Sequence, residues 1–292
     1  MLHPSPILIN LGPVSLHWYG LLISLSIILG CLLGKKLFRR YQLPGQLFFD
    51  LVFYLVIFGF LGGRLWHVFS ELSYYAQRPL DILKIWQGGL AIHGTIIAGV
   101  VVLYFYYRRH RQAPNNVTWL LLLDIFSPLI ALGQAIGRFG NYFNQELYGR
   151  PTDLPWGLPI DLAHRLPGWE NFSHFHPIFL YESLWCLFIF IISMNFHRLR
   201  LKESESKQGT VPLLHCSIVK NPGTIFFLYL ILYSLGRFLI GFLRIDPQAS
   251  WLSLRLDQWV SVLFIFVGII YLVCGFYYRQ KQTSGQIAKP HI

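Results

Sequence analysis

Long apolar runs, separated by short clusters of basic residues, restrict what this chain can fold into more than any other feature. A membrane span takes about 20 predominantly apolar residues. Seven stretches qualify: 16–34, 48–69, 89–107, 118–139, 177–196, 223–243 and 257–278. Inside hydrocarbon every backbone N–H and C=O must be satisfied within the protein, so each run is expected to be helical. The chain is 54% hydrophobic and 13% charged, whereas soluble domains carry about 25% charged residues. The predicted fold is an all-α membrane protein, with seven transmembrane helices forming one polytopic domain over residues 1–292.

The basic residues set an orientation. Fifteen Lys and Arg lie beyond the first, third, fifth and seventh spans, six lie on the other side, and Arg64, Arg138 and Arg237 fall within spans. The positive-inside rule then puts the amino terminus outside and the carboxyl terminus in the cytoplasm. The net charge of +11 resides mainly in these clusters, which fit anionic lipid rather than nucleic acid. Four scattered cysteines show no metal spacing and no disulfide framework, so neither metal nor cofactor is expected. Residues 1–15 hold no Lys or Arg and no small-residue cleavage site follows the first span, so no removable signal peptide is expected. Residues 150–176, rich in Pro, Gly, Trp and His, read as a small periplasmic head or lid, and 197–222 as a flexible cytoplasmic loop. Three glycine pairs spaced four apart, Gly30 and Gly34, Gly59 and Gly63, and Gly133 and Gly137, allow close helix approach.

The most unusual stretch is Gly137 to Arg150, GRFGNYFNQELYGR, at the end of the fourth span. Charged groups there are costly unless paired or facing a wet cavity. Arg138, Asn141 and Asn144 are three apart, so a continuing helix would gather them near one face, as donors for a phosphate or carboxylate. The bland alternative is an interfacial arginine reaching for lipid headgroups.

Traced through the topology, Tyr19, Arg64, His93, Arg138, Asn141, Glu182, Arg237 and Gln258 all fall in the outer half of their spans. Random placement would divide them between the leaflets, so a shared cavity opening outward is predicted. Arg138 and Arg237, if close, need an anion between them: a substrate phosphate, Glu146 or Glu182. His93, kept neutral beside arginines, could accept a proton. Tyr19, in His17-Trp18-Tyr19-Gly20, fits an aromatic belt or a proton relay. No Gly-x-Ser-x-Gly, P-loop or His-Glu-x-x-His motif occurs, which suggests that the substrate supplies its own nucleophile.

These motifs resemble the bacterial prolipoprotein diacylglyceryl transferases. The likeness rests on His17-Trp18-Tyr19-Gly20, Gly62-Gly63-Arg64, Trp86-Gln87-Gly88-Gly89, His93-Gly94, the run from Gly137 to Gly149, His176-Pro177, Tyr181-Glu182, Tyr233, Gly236-Arg237 and Asp257-Gln258, in that order. The resemblance implies transfer of a diacylglyceryl group from phosphatidylglycerol to the lipobox cysteine of a prolipoprotein. The products would be a thioether and glycerol-1-phosphate, and the site would face the periplasm from the bacterial inner membrane. It also implies key roles for Tyr19, His93, Arg138, Asn141, Glu146, Gly149 and Arg237. Arg138 and Arg237 would clamp the phosphate, Asn141 orient the headgroup, Glu146 orient an arginine, and His93 or Tyr19 take the proton. Arg64, Glu182 and Gln258 join the candidate headgroup-binding set by topology. The partners expected are phosphatidylglycerol and a signal-peptide helix arriving laterally. Two positions depart from the family pattern. Thr95 stands where glycine is usual and is predicted to narrow the backbone beside His93. Gly241 stands where the resemblance implies a glutamate, leaving Arg237 or Arg244 short of an anionic partner.

Two other functions would use the same arginines. An anion transporter requires a polar path to the cytoplasm, where Asp50 and Asp124 are the main acidic candidates. A non-catalytic scaffold would bind the lipid without releasing glycerol phosphate.

Overall fold

The computed structural model describes residues 4–12, 14–84, 88–110, 117–205 and 221–283. Its α-helices are α1 (Trp18–Arg40), α2 (Gly45–Ser70), α3 (Leu72–Gln77), α4 (Ile92–His110), α5 (Trp119–Phe143), α6 (Ile178–Glu205), α7 (Thr224–Gly241) and α8 (Leu256–Thr283). Among the described residues six helices, α1, α2 and α5 to α8, are long and apolar enough to cross a membrane. The predicted third span, α4, is not one of them: its 19 residues end in Arg108, Arg109 and His110, which lower its hydropathy. The helical expectation also lacked three two-stranded antiparallel ribbons: β1 (Ile7–Leu11) with β2 (Val14–His17), β3 (Leu158–Pro159) with β4 (His174–Phe175), and β5 (Ser250–Trp251) with β6 (Leu254–Arg255). All three lie in segments joining or preceding the helices, where a chain outside hydrocarbon can reverse and pair.

The chain divides into two compact units, Cys31–Leu122, and Met1–Gly30 with Leu123–Ile292. In the first, α2 and α4 pack backbone to backbone. A Cβ on Gly62 would lie 2.6 Å from the Gly94 carbonyl oxygen, and one on Gly94 would overlap Gly62. Thr95 faces α2, where its hydroxyl donates to the Gly59 carbonyl at 3.1 Å. The β-branched residue at 95 thus serves as an interhelical tie, as small polar residues do in membranes. Of the three glycine pairs, Gly59 and Gly63 meet Thr95 closely, whereas Gly137 has nothing within 4 Å.

In the second unit α5 is the central helix: 50% of its apolar window is buried, against 11% for α8. Ala131, Ile189 and Tyr229 form a buried cluster backed by Trp185, Phe226 and Tyr233. Asp124 anchors one end of this unit. Its carboxylate accepts from the backbone N–H groups of Gly223 (2.7 Å) and Phe226 (2.8 Å), and pairs with Arg200 at 2.7 Å. An acid at the start of α7 meets that helix's positive end. His197 Nε2 donates to the Asp124 carbonyl at 3.0 Å. These ties hold α6 helical to Glu205, which corrects the loop predicted from 197; residues 206–220 lie outside the described residues. Asp124 is therefore committed to capping and to its pair with Arg200.

Residues 150–176 pack on a small core of Tyr148, Ile160 and Phe175, with Leu166, Trp169 and Ile245 against it. The Tyr148 hydroxyl donates to the His164 carbonyl (3.0 Å) and accepts from Leu166 N–H (2.6 Å). Burial raises the Tyr148 phenol above its ordinary pKa, which keeps it neutral for both bonds.

Candidate functional site

The last turns of α5 carry Arg138 and Asn141, and the helix stops at Phe143. Gln145 (φ 51°) and Leu147 (φ 54°) then turn the chain in the left-handed region. The reversal brings Glu146 back over the helix end, where its backbone N–H donates to the Asn141 carbonyl at 3.0 Å. Glu146 Oε1 accepts from the side-chain amides of Asn141 (2.8 Å) and Asn144 (3.2 Å). Glu146 was expected to orient an arginine. Among the described residues it orients two asparagines instead, because the reversed chain aims it at the amide face.

Gly149 is held where three segments meet. Its N–H donates to the His176 carbonyl at 2.9 Å, and Arg150 N–H donates to the Leu243 carbonyl at 2.8 Å. A Cβ at 149 would lie 2.9 Å from both His176 Cβ and Leu243 O. Gln145 clasps Asp161, donating to its Oδ2 at 2.6 Å and accepting from its N–H at 2.8 Å. The 14-residue run therefore docks the head segment onto the ends of α6 and α7.

Arg138 and Arg237 converge, and Glu182 lies between them. Arg138 Nε bonds Glu182 Oε2 at 2.7 Å, and Arg237 NH1 bonds Oε1 at 2.6 Å. Both arginines line one small cleft with Glu182, Trp185, Cys186, Tyr233, Gly236 and Ile240. Trp185 forms one wall, its indole N–H donating to the Leu232 carbonyl at 2.8 Å and its ring lying where a Cβ on Gly236 would be. Arg237 NH2 reaches Asp257 Oδ2 at 3.0 Å. Asp257 Oδ1 meets Arg255 Nε at 3.3 Å, and Arg255 NH2 meets Asp246 Oδ2 at 2.8 Å. Asp246 receives Arg244 in a two-pronged pair at 2.7 and 3.0 Å. Arg244 NH1 lies 3.7 Å from Glu182 Oε1, which closes a ring of alternating charge. Burial pushes the Asp246 carboxyl up, but the bonds and charges of Arg244 and Arg255 outweigh it and hold its pKa below the usual carboxylate range.

The expectation that Arg237 or Arg244 would want for an anion in the absence of a glutamate at 241 is corrected by this ring, which pairs both with carboxylates. Asp257, in the first turn of α8, supplies the second carboxylate. A Cβ at Gly241 would meet Gln258 Cγ at 3.0 Å, so that position is already filled. Gln258 itself accepts from Arg255 N–H (3.0 Å) and donates to the Phe238 carbonyl (3.0 Å), so its amide is committed to tying α8 to α7. Asp246, Arg255 and Asp257 were missed as members of the site. The available signal was the repeated Arg-x-Asp pattern, Arg244-Ile245-Asp246 before the β5–β6 ribbon and Arg255-Leu256-Asp257 starting at its last residue.

Tyr19 is 41% exposed, and its ring packs on α5 over Gly140, beside Asn141 in sequence. Arg64 and His93 belong to the other unit. Arg64 is buried, and it donates to the carbonyls of Ile82 (2.9 Å), Gly88 (2.7 Å), Gly89 (3.1 Å) and Asp81 (2.5 Å). Its guanidinium braces the segment after α3, which leaves it little to offer a headgroup. His93 starts α4 with its ring 5.9 Å from that of Trp66. Trp86 and Gln87 of the quoted motifs lie outside the described residues.

Fold and site together define a helical membrane protein with a cleft lined by two arginines and the glutamate they share. A family model described as prolipoprotein diacylglyceryl transferase matches residues 6–274, and the chain belongs to that family. It is 41% identical to the phosphatidylglycerol–prolipoprotein diacylglyceryl transferase of Synechococcus elongatus, over 99% of this chain and 93% of the relative. The protein of the same name from Trichormus variabilis is 39% identical, over 98% and 95%. One from Streptomyces coelicolor, whose name ends in "transferase 2", is 40% identical over 91% and 78%.

Proposed function

We propose that this protein transfers the diacylglyceryl group of phosphatidylglycerol to the lipobox cysteine of a prolipoprotein. Family membership over nearly the whole chain and the shared name of its relatives support the activity. One observation carries the assignment of the site. Arg138 meets Glu182 most closely through Nε, and its two terminal nitrogens make no hydrogen bond among the described residues. They form the planar fork that suits a phosphodiester.

In this reading the cysteine sulfur attacks the glycerol carbon bearing the phosphodiester. The carbon–oxygen bond breaks with its electron pair on oxygen, giving a thioether and glycerol-1-phosphate. Arg138 binds the phosphate and stabilises charge growing on the leaving oxygen. Arg237 keeps Glu182 in place beneath it. Asn141, set by Glu146, orients the headgroup. A free thiol has a pKa near ~8.5, so a base promotes attack; His93 takes the proton, with Tyr19 the alternative. Arg64 and Gln258 act as braces. The chain works as one membrane domain of seven spans in the bacterial inner membrane, with the amino terminus and residues 150–176 on the periplasmic side. The acyl tails stay in the bilayer, and the signal-peptide helix approaches laterally.

The test is incubation of purified protein with phosphatidylglycerol and a lipobox peptide, read by mass spectrometry. The expected result is a peptide heavier by one diacylglyceryl group, with glycerol-1-phosphate released in equal amount. Lipid binding with no product would favour a scaffold.

A further inference from the structure

We propose that Asp246, Arg255 and Asp257 are positioning residues for this transfer, closing a charge-neutral ring that leaves Arg138 alone to carry the site's net charge. The proposal rests on the reading of Arg138 as the phosphate ligand.

Around the ring the order is Glu182, Arg237, Asp257, Arg255, Asp246 and Arg244, with each acid between two guanidiniums. Three positive and three negative charges cancel. Arg138 is attached from outside, through the Glu182 oxygen that the ring leaves open. The cluster's surplus is therefore a single positive charge, which matches the single negative charge of a phosphodiester. Arg237 differs from Arg138, since both of its terminal nitrogens are held by carboxylates. Its charge is already compensated before any lipid arrives.

Neither Asp246, Arg255 nor Asp257 lines the cleft, so any effect on the lipid acts through Arg237 and Glu182. Glu182 is buried and the other side chains are partly buried, with exposures between 5% for Glu182 and 24% for Asp246. At such sites an unmatched charge acts over several ångströms with little screening. A ligand-holding side chain keeps its rotamer when its own partners are locked, and here the locks come from the two Arg-x-Asp segments. Asp257 also lies in the first turn of α8, where the helix dipole favours an anion.

Changing the ring's parity should move lipid affinity in a direction set by the sign of the change. Asp257→Asn leaves an uncompensated positive charge, which tightens phosphatidylglycerol and retains the phosphate product, so KM and kcat both fall. Arg255→Gln leaves an uncompensated negative charge and raises KM. The double variant restores neutrality and returns KM toward the parent value. Shifts of roughly tenfold are expected, as for other outer partners of ligand-holding groups.

The experiment is steady-state transfer from phosphatidylglycerol in mixed micelles to a lipobox peptide, for the parent, both single variants, the double variant and Arg138→Gln. Thermal melts establish folding, and Asp246→Asn replaces Asp257→Asn if the latter does not fold. Opposite KM shifts with recovery in the double variant support the ring. Parental constants in both single variants, or KM shifts of the same sign, overturn it while an inactive Arg138→Gln leaves the phosphate site standing. A fully active Arg138→Gln overturns the phosphate site and the ring together.

Discussion

Arg138 and Arg237 bond opposite oxygens of one carboxylate, Glu182, at 2.7 and 2.6 Å. Two guanidiniums brought together in a membrane protein repel unless an anion separates them, and here the protein supplies that anion itself. Arg138 Nε is held, and its terminal nitrogens make no hydrogen bond among the described residues. Arg138→Ala should then lower transfer by about 10²–10³, the loss typical of one donor to a developing oxyanion. Rate measurements on purified, folded protein check this, and an unchanged rate would remove Arg138 from the mechanism.

Removing the bridge should be harsher on stability than removing either arginine. Glu182 is 5% exposed in its side chain and serves Arg138, Arg237 and Arg244. Breaking a buried pair by deleting one member costs about 3–5 kcal/mol, because the remaining charge is uncompensated. Chemical unfolding of Glu182→Gln in detergent should show a loss of that size, and Glu182→Gln with Arg237→Gln should recover part of it.

Two glycines in the same sequence run should respond oppositely to alanine. At Gly149 a new Cβ meets His176 and Leu243 at 2.9 Å, and overpacking of this kind costs about 1–3 kcal/mol. At Gly137 nothing lies within 4 Å, and alanine should gain up to about 1 kcal/mol from helix propensity. Melting temperatures of the two variants on either side of the parent would bear this out.

The base assignment has a kinetic signature. If His93 accepts the thiol proton, His93→Gln should lose the acid limb of the pH–rate profile, because that limb reports the group that must be deprotonated. An acid limb preserved at reduced rate excludes His93 and turns attention to Tyr19.

Asp246 should leave a mark on stability in acid. Its folded pKa lies below the ordinary range, because Arg244 and Arg255 outweigh the effect of burial. A depressed carboxylate contributes fully above its unfolded value near ~3.9 and loses that contribution as pH falls through the folded value. Thermal melts should place Asp246→Asn below the parent at neutral pH, with the two curves converging as pH drops below about 4. Curves that stay parallel down to strong acid would show that Asp246 is not held low.

Much of the site could be read along the chain because membrane insertion makes polar residues conspicuous. Arg138, Glu182 and Arg237 stand out against apolar runs, and a topology count led one to expect them in the same half of the bilayer. Asp246 and Arg255 did not stand out, since they lie at span ends where charge is ordinary, and Asp257 was noted only as part of a motif, without a role. Glu146 was noticed and given the wrong neighbour. Its direction depends on left-handed backbone at Gln145 and Leu147, which periodicity does not reveal. The departure at Gly241 looked like a missing charge only while Asp257 was counted as part of a different span.

From the sequence alone follow the apolar helices, the family and the arginines that stand inside spans, because hydrocarbon tolerates few polar side chains and each one is informative by position. Tertiary structure alone decided which carboxylate each arginine holds. Ion-pair partners are chosen by distances of a few ångströms between separate helices, and no spacing along one chain encodes those distances.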